Sequence, residues 1–168
     1  MKILIAIDGS ECSLLALNAV KERHWPIETE FRIITVVDPA TYVQTSFGGT
    51  CVEPMLQVQI EFEKWCRQLI NEKKDELKAI FPNSPITADV LLGPIAGSII
   101  DDAKQWSADL IVVGSHGRTG VQRFFLGSVA ERVASHAPCS IEIVKHKLDA
   151  EKSKSAHQSA SESINVQP

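Results

Sequence analysis

Short apolar runs recur along the chain, and segments with helical periodicity separate them. The runs are rich in Ile, Val and Leu without polar alternation, which is typical of parallel strands buried on both faces. They predict strands over residues 3–7, 31–37, 86–92, 109–113 and 140–144. The intervening patterns predict helices over residues 11–23, 54–80, 95–106 and 128–136.

The apolar residues of the helical segments predict which face of each helix is buried. For the first helix these residues are Leu15, Ala16, Ala19 and Val20. For the long second helix they are Leu56, Ile60, Trp65, Leu69, Leu77 and Ile80. The charged run 72–76 is then a solvated face of the second helix.

Regular alternation of strand and helix predicts the α/β class, with a five-stranded parallel sheet and helices on both faces. Right-handed crossovers leave few topologies, and the flavodoxin-like strand order 3-2-1-4-5 is the natural one. That order makes the first and fourth strands neighbours at the point where open α/β sheets bind ligands. We therefore expect Asp8 and Gly114, which end those strands, to meet at one crevice.

A glycine-rich loop follows the fourth strand, and a helix begins just after Gly127. Glycines allow close approach of the backbone to a ligand, and successive N–H groups in such loops bind anions. The start of the helix adds unpaired N–H donors and the positive end of its dipole. This stretch predicts a site for the phosphates of a nucleotide. The alternatives are that the glycines serve only as turn residues and that Asp8 only caps the first helix.

No catalytic residue is predicted. Ser115 and His116 suggest a nucleophile and its base, but adjacent loop residues rarely face each other and no third orienting group is evident. Residues 93–98 resemble part of a P-loop without its lysine or its spacing. The cysteines at positions 12, 51, 66 and 139 lack the spacing of a zinc site, so we expect free thiols, two of them (Cys66 and Cys139) in the core, and no metal ligands.

Composition and charge exclude several other classes. The chain has 168 residues, of which 44% are hydrophobic and 23% charged, as in an ordinary soluble domain. A net charge of −4 gives no support for binding to nucleic acid or to a membrane. The apolar run at residues 3–7 is too short for a signal peptide, so a cytoplasmic location is expected.

Two segments stand apart from the alternating pattern. Residues 38–53 have no clear periodicity and predict a mobile loop. Residues 149–168 are rich in Ser, Ala, Lys, Glu and Gln, and predict a disordered tail. The folded domain is accordingly expected to span residues 1–148.

The glycine loop also carries a family pattern, G-x2-G-x9-G-[ST], at Gly114, Gly117, Gly127 and Ser128. In chain order, Asp8 closes the first strand, residues 35–38 (Thr-Val-Val-Asp) end the second, and residues 137–139 precede the last. With these features together, the chain resembles the ATP-binding branch of the universal stress proteins over about residues 1–146. The resemblance implies the same sheet, of the adenine nucleotide alpha hydrolase-like type.

The resemblance implies a ligand, ATP or another adenine nucleotide, with Mg²⁺ or Mn²⁺ held by its phosphates. Asp8, with the backbone of Ala6 and Ile7, would lie near the ribose and adenine. Val36 would contact the adenine ring. The family often has a proline or threonine where Ala6 and Ile7 stand, which should change the packing of the base.

For the phosphates, the resemblance implies that Gly114 allows close approach of the ligand. The surrounding loop would comprise Ser115, His116, Gly117 and Arg118. Ser128 would donate its hydroxyl to a phosphate, and the amides of Gly127 and Val129 would add to it. A simple solvated position remains the alternative for Arg118.

The implied function is that of a nucleotide-dependent regulatory or sensor protein of the stress response, acting on an unidentified protein partner. Any ATP hydrolysis would be slow, because no base or Walker lysine is evident. A homodimer through the last strand, residues 141–145, is also implied, although Glu142 places a charge there. The alternatives are a dimerising interaction module with a vestigial nucleotide site, and a true hydrolase.

Overall fold

The computed structural model describes residues 1–39, 52–118 and 126–145, and within the helix that begins at residue 52 it describes side chains from residue 57 onward. The strands are β1 (Lys2–Ala6), β2 (Glu30–Val37), β3 (Ile86–Leu92), β4 (Leu110–Gly114) and β5 (Ser140–Val144). The helices are α1 (Glu11–Lys21), α2 (Val52–Ile80), α3 (Ile95–Trp106) and α4 (Ser128–His136).

The five strands form one parallel sheet in the order β3-β2-β1-β4-β5. Ile3 of β1 is in register with Phe31 of β2 on one side and with Leu110 of β4 on the other. The predicted fold class and strand order are confirmed. Element bounds differ from the prediction by at most two residues; α2 begins at Val52, because Pro54 is tolerated in the first turn, where its missing N–H needs no partner.

Two apolar layers cover the faces of the sheet. On one face, α1 and α2 pack through Leu17, Cys66 and Leu77 against Ile5 and Val112. On the other face, α3 and α4 pack through a layer that includes Ile99, Ala103, Val133, Leu4 and Ile111. Cys66 is fully buried, as predicted, whereas Cys139 is only partly buried.

The predicted buried faces of two helices were partly wrong. In α2, Ile60, Trp65 and Ile80 are 57%, 43% and 46% exposed. Leu77 is buried as predicted, and Cys66 and Ile70 are buried with it, because positions four and seven residues apart share one helix face. In α1 the buried residues are Ser13, Ala16, Leu17 and Val20, so the face is rotated away from Leu15 and Ala19. In α1 a small polar residue, Ser13, occupies a core position that hydrophobicity alone does not favour.

The predicted loop at 38–53 lies largely outside the described residues, and the predicted tail at 149–168 lies wholly outside them. Among the described helices, none combines the length and the apolar character needed to cross a lipid bilayer.

Candidate functional site

A cavity of about 230 Å³ lies where the sequence predicts a crevice, at the carboxyl ends of β1 and β4 and beside the start of α4. Every site residue predicted from the sequence lines this cavity. These residues are Ala6, Ile7, Asp8, Val36, Gly114, Ser115, His116, Gly117, Arg118, Gly127, Ser128 and Val129. The fold therefore brings four separate segments of the chain to one place.

Other lining residues were not predicted from the sequence: Ser13, Ile34, Asp38, Phe62, Ile95, Ile99, Val113 and Ala130. Asp38 follows β2, the neighbour of β1, so the predicted strand order already placed it beside the crevice. Phe62 carries no such signal, because its place depends on how the long helix α2 crosses the sheet.

Asp8 joins the two loops that border the crevice. Its Oδ1 accepts a hydrogen bond from the backbone N–H of Ser10 at 3.0 Å, and its Oδ2 accepts one from the N–H of Arg118 at 3.1 Å. The cap of α1 is Ser10, whose side chain accepts from the N–H of Ser13. Asp8 thus connects the β1–α1 turn to the glycine loop, and the predicted alternative, that it only caps α1, is wrong.

The glycines of the motif make room for neighbouring parts of the protein. A Cβ on Gly114 would lie 2.6 Å from the carbonyl carbon of Cys12, at the start of α1. A Cβ on Gly117 would lie 2.9 Å from Oδ2 of Asp8, and one on Gly127 would lie 3.1 Å from the carbonyl oxygen of Ser115. Close packing against backbone atoms therefore requires a glycine at position 114. At Gly117 the nearest atom is the end of a side chain, and at Gly127 a shift of a few tenths of an ångström would make room for a Cβ. The close approach of a ligand at Gly114 stays a prediction.

Ser115 and His116 do face each other, with 3.0 Å between Ser115 Oγ and His116 Nδ1. The expectation that neighbours in a loop would not do so is wrong for this pair. Ser115 is nevertheless fully buried, and its Oγ also lies 3.8 Å from Sγ of Cys12. Although Ser115 borders the cavity, its hydroxyl is held between His116 and Cys12 and has no exposed surface, so the geometry favours a structural role for the pair.

The start of α4 presents backbone donors to the cavity. Gly127 is the N-cap and makes no side-chain cap hydrogen bond; its own N–H donates to the carbonyl of Ser115 at 2.8 Å. Its carbonyl accepts the first helical bond, from the N–H of Glu131. The first N–H groups of a helix have no partner within it, and here they sit at the positive end of the dipole, beside the exposed hydroxyl of Ser128. This arrangement suits an anion.

The charges around the cavity are mixed. Asp8 and Asp38 contribute carboxylates, and Arg118 contributes a guanidinium whose central carbon lies 4.4 Å from the ring centroid of Phe62. In α2, burial raises the pKa of the Cys66 thiol, which keeps the thiol protonated and unreactive. No group of three metal-ligating side chains occurs within residues 1–39, 52–118 and 126–145.

A larger groove, of about 690 Å³, lies at the opposite end of the sheet, with Lys2, Glu30 and Asp109 among its lining residues. It contains none of the residues predicted to bind a ligand. Ligands of open parallel sheets bind beyond the carboxyl ends of the strands, and this groove lies at the amino ends. The smaller crevice is therefore the better candidate site.

Curated relatives match most of the chain. A universal stress protein of Methanocaldococcus jannaschii, MJ0531, is 34% identical over 153 residues, which cover 86% of this chain and 81% of that protein. The universal stress protein YxiE of Bacillus subtilis is 31% identical and covers 86% and 98%.

Solved structures share the fold. That of the hypothetical protein MJ0577 superposes with a TM-score of 0.76 at 25% identity, covering 87% of this chain and 96% of that one. A universal stress protein in complex with cAMP gives a TM-score of 0.58 at 21% identity, covering 86% and 96%. An Arabidopsis thaliana family member with AMP bound gives 0.55 at 15% identity, covering 89% and 94%.

The family model for universal stress proteins matches residues 1–145, which include the whole sheet and every residue of the crevice named above. The motif, the strand order and the relatives all agree with that match. The chain belongs to the universal stress protein family.

Proposed function

We propose that the crevice binds an adenine nucleotide, ATP in the first instance, and that the protein acts as a nucleotide-dependent regulator. The observation that carries this proposal is the convergence of every predicted contact residue on one cavity at the switch point of the sheet. Two structural neighbours that contain cAMP or AMP support the adenine class.

The lining of the cavity combines two kinds of chemistry, which suit the two parts of a nucleotide. Apolar side chains that include Ile7, Val36 and Val113 suit the flat surface of a base. The backbone donors of the glycine loop and the start of α4 suit phosphates. A divalent ion would be held mainly by the phosphates, which is the usual way that proteins hold Mg²⁺ with a nucleotide.

Binding without rapid hydrolysis agrees with the side chains present. Among the described residues that line the cavity there is no lysine, and the hydroxyl of Ser115 is buried. Both oxygens of Asp8 are engaged by backbone N–H groups, which leaves this carboxylate poorly suited to act as a base. We therefore propose that ATP occupancy, rather than turnover, is read by a protein partner in the stress response.

The test has two parts. Protein purified without added nucleotide is extracted with acid and its adenine nucleotides are identified by chromatography, and ATP binding is then measured by calorimetry. Ser128→Ala is expected to weaken ATP binding about tenfold or more, since a hydrogen bond to a charged group contributes roughly 1.5–3 kcal/mol. The control is Ser135→Ala, near the other end of α4, whose Oγ donates to the carbonyl of Glu131.

The control should bind ATP like the unmodified protein. Finding neither a bound adenine nucleotide nor any heat of ATP binding would contradict the proposal. A stable dimer with no nucleotide affinity would instead support the alternative function, an interaction module with a vestigial site.

We also propose that two copies of the chain associate through β5. This strand pairs with β4 on one side and lies at the end of the sheet order, so its other edge offers backbone groups to a partner strand. The charge of Glu142 is matched within the chain by a bidentate pair with Arg23. Light scattering should give twice the 18.5 kDa mass of one chain, and a monomer at micromolar concentration would refute the proposal.

A further inference from the structure

The long helix α2 reaches the candidate site through one aromatic side chain, Phe62. The central guanidinium carbon of Arg118, in the glycine loop, lies 4.4 Å from the centroid of the Phe62 ring. Both side chains line the cavity. Neither the glycine motif nor the sequence pattern assigns any part of α2 to the site.

Phe62 is itself held in place. Its ring stacks on that of Trp65 with 5.5 Å between centroids and 22° between planes. Trp65 in turn packs on the β1–α1 turn, where a Cβ added to Gly9 would lie 2.5 Å from the Trp65 ring. Gly9 has φ +80°, which favours glycine at this contact. The aromatic pair therefore gives Arg118 a surface that is fixed to one wall of the crevice.

Stacking suits a guanidinium that must bind an anion. A ring under its flat face leaves the N–H donors at its edge free to form bidentate hydrogen bonds with phosphate oxygens. Within the described parts of the chain, no carboxylate forms an ion pair with the Arg118 guanidinium within 4.0 Å. Asp8 contacts the backbone N–H of Arg118.

The other charges around the cavity make the Arg118 guanidinium important for binding an anion. Asp8 and Asp38 would repel a polyphosphate, and among the described lining residues Arg118 is the only arginine or lysine. A long side chain in solvent would lose conformational freedom on binding, whereas one already stacked on a ring loses less.

We infer that Phe62 is a positioning residue, which holds the Arg118 guanidinium in place to receive the phosphates of the bound nucleotide. This inference rests on the proposed function. If Phe62 has this role, α2 is part of the anion site. The loss of affinity on replacing Phe62 should then be larger for ligands with more phosphate charge.

The experiment measures the affinity of the 168-residue chain for ATP, AMP and adenosine by calorimetry at two salt concentrations. The variants are Phe62→Leu, which keeps apolar bulk without a π face, Phe62→Tyr, which keeps the ring, and Arg118→Gln. The control is Arg67→Gln, which removes the same charge from an exposed position of α2. Urea unfolding of each variant checks that the fold is intact.

Phe62→Leu is expected to weaken ATP binding about 2- to 5-fold, as for the loss of a cation–π contact to an exposed arginine, and to leave adenosine binding unchanged. Phe62→Tyr should restore ATP binding to within about twofold, because its ring also attracts a cation. The double variant with Phe62→Leu and Arg118→Gln should bind ATP only slightly more weakly than Arg118→Gln alone, since the two residues act as a unit. Arg67→Gln should leave all three affinities unchanged.

Equal losses for ATP and adenosine in Phe62→Leu would overturn the inference, because they indicate a contact with the base or a general packing role. Unchanged ATP affinity would overturn it as well. Either result leaves the proposed function standing, provided that the unmodified protein binds ATP. If the unmodified protein binds none of the three ligands, the proposed function fails, and the inference fails with it.

Discussion

The first glycine of the motif gives the sharpest test of how the crevice is built. In Gly114→Ala the new Cβ would lie 2.6 Å from the carbonyl carbon of Cys12, 2.7 Å from the nitrogen of Ser13 and 2.8 Å from the carbonyl oxygen of Cys12. All three are backbone atoms, so no side chain can rotate to relieve the overlap. Either the end of β4 or the first turn of α1 must move.

The expected cost follows from how firmly both elements are held. β4 is paired on both sides, with β1 and with β5, and α1 begins at a well-formed serine cap. Overpacking of this kind costs about 1–3 kcal/mol, and the reduced freedom of the unfolded chain returns roughly 0.4–1 kcal/mol. A net loss of about 1–2 kcal/mol lowers the Tm by roughly 2–8 °C in a domain of this size.

The assay is thermal unfolding followed by circular dichroism, with urea unfolding as a second measure. Gly97→Ala in α3 is the matched control, because the nearest atom to its added Cβ, outside its chain neighbours, is Cβ of Pro94 at 3.9 Å. That variant should be stabilised by up to about 1 kcal/mol, as for glycine to alanine in a helix. A stability for Gly114→Ala within about 0.5 kcal/mol of the unmodified protein would refute the packing role and favour a role in ligand approach alone.

Two further predictions concern other contacts in the structure. Asp8→Asn leaves one of two backbone N–H groups without its acceptor, so we expect a loss of roughly 1–2 kcal/mol in urea unfolding and weaker ATP binding; unchanged stability would contradict the bridging role. The hydrogen bond from Lys21, and then that from Lys73, lowers the pKa of Glu76 from its ordinary value of 4.5. Because the folded state favours the ionised form, Glu76→Gln should cost no more than about 1 kcal/mol at pH 7 for this screened surface group. The difference should vanish as the pH falls below 4.5 through the folded pKa, and a difference that persists at pH 2 would contradict the assignment.

The arrangement of Arg23 and Glu142 changes the expectation for the last strand. From the sequence, the charge at Glu142 is expected to weaken or re-aim the contact between copies through β5. In the structure the Arg23 guanidinium binds both carboxylate oxygens, and the same pairing raises the pKa of Arg23. The charge is thus largely neutralised within the chain, which removes one physical objection to the proposed dimer.

Much of the site could be predicted from sequence because parallel sheets impose simple geometry. Once the alternation of strands and helices gives the order 3-2-1-4-5, the residues that end β1 and β4 must be neighbours. Asp8 and Gly114 were found in this way, and the glycine spacing placed the start of α4 beside them. The same reasoning predicts that Asp38, which follows β2 beside β1, lies at the crevice. It was not predicted as a lining residue.

Short-range patterns therefore suffice for the strands, their order and the glycine loop, since each depends on local backbone preferences and on the chirality of crossovers. The rotation of α1 and α2, the stack of Phe62 under Arg118 and the contact of Gly114 with α1 follow different physics. They depend on how whole elements pack at distances of a few ångströms between residues far apart in the chain. That information is absent from any single stretch of residues and exists only in the folded molecule.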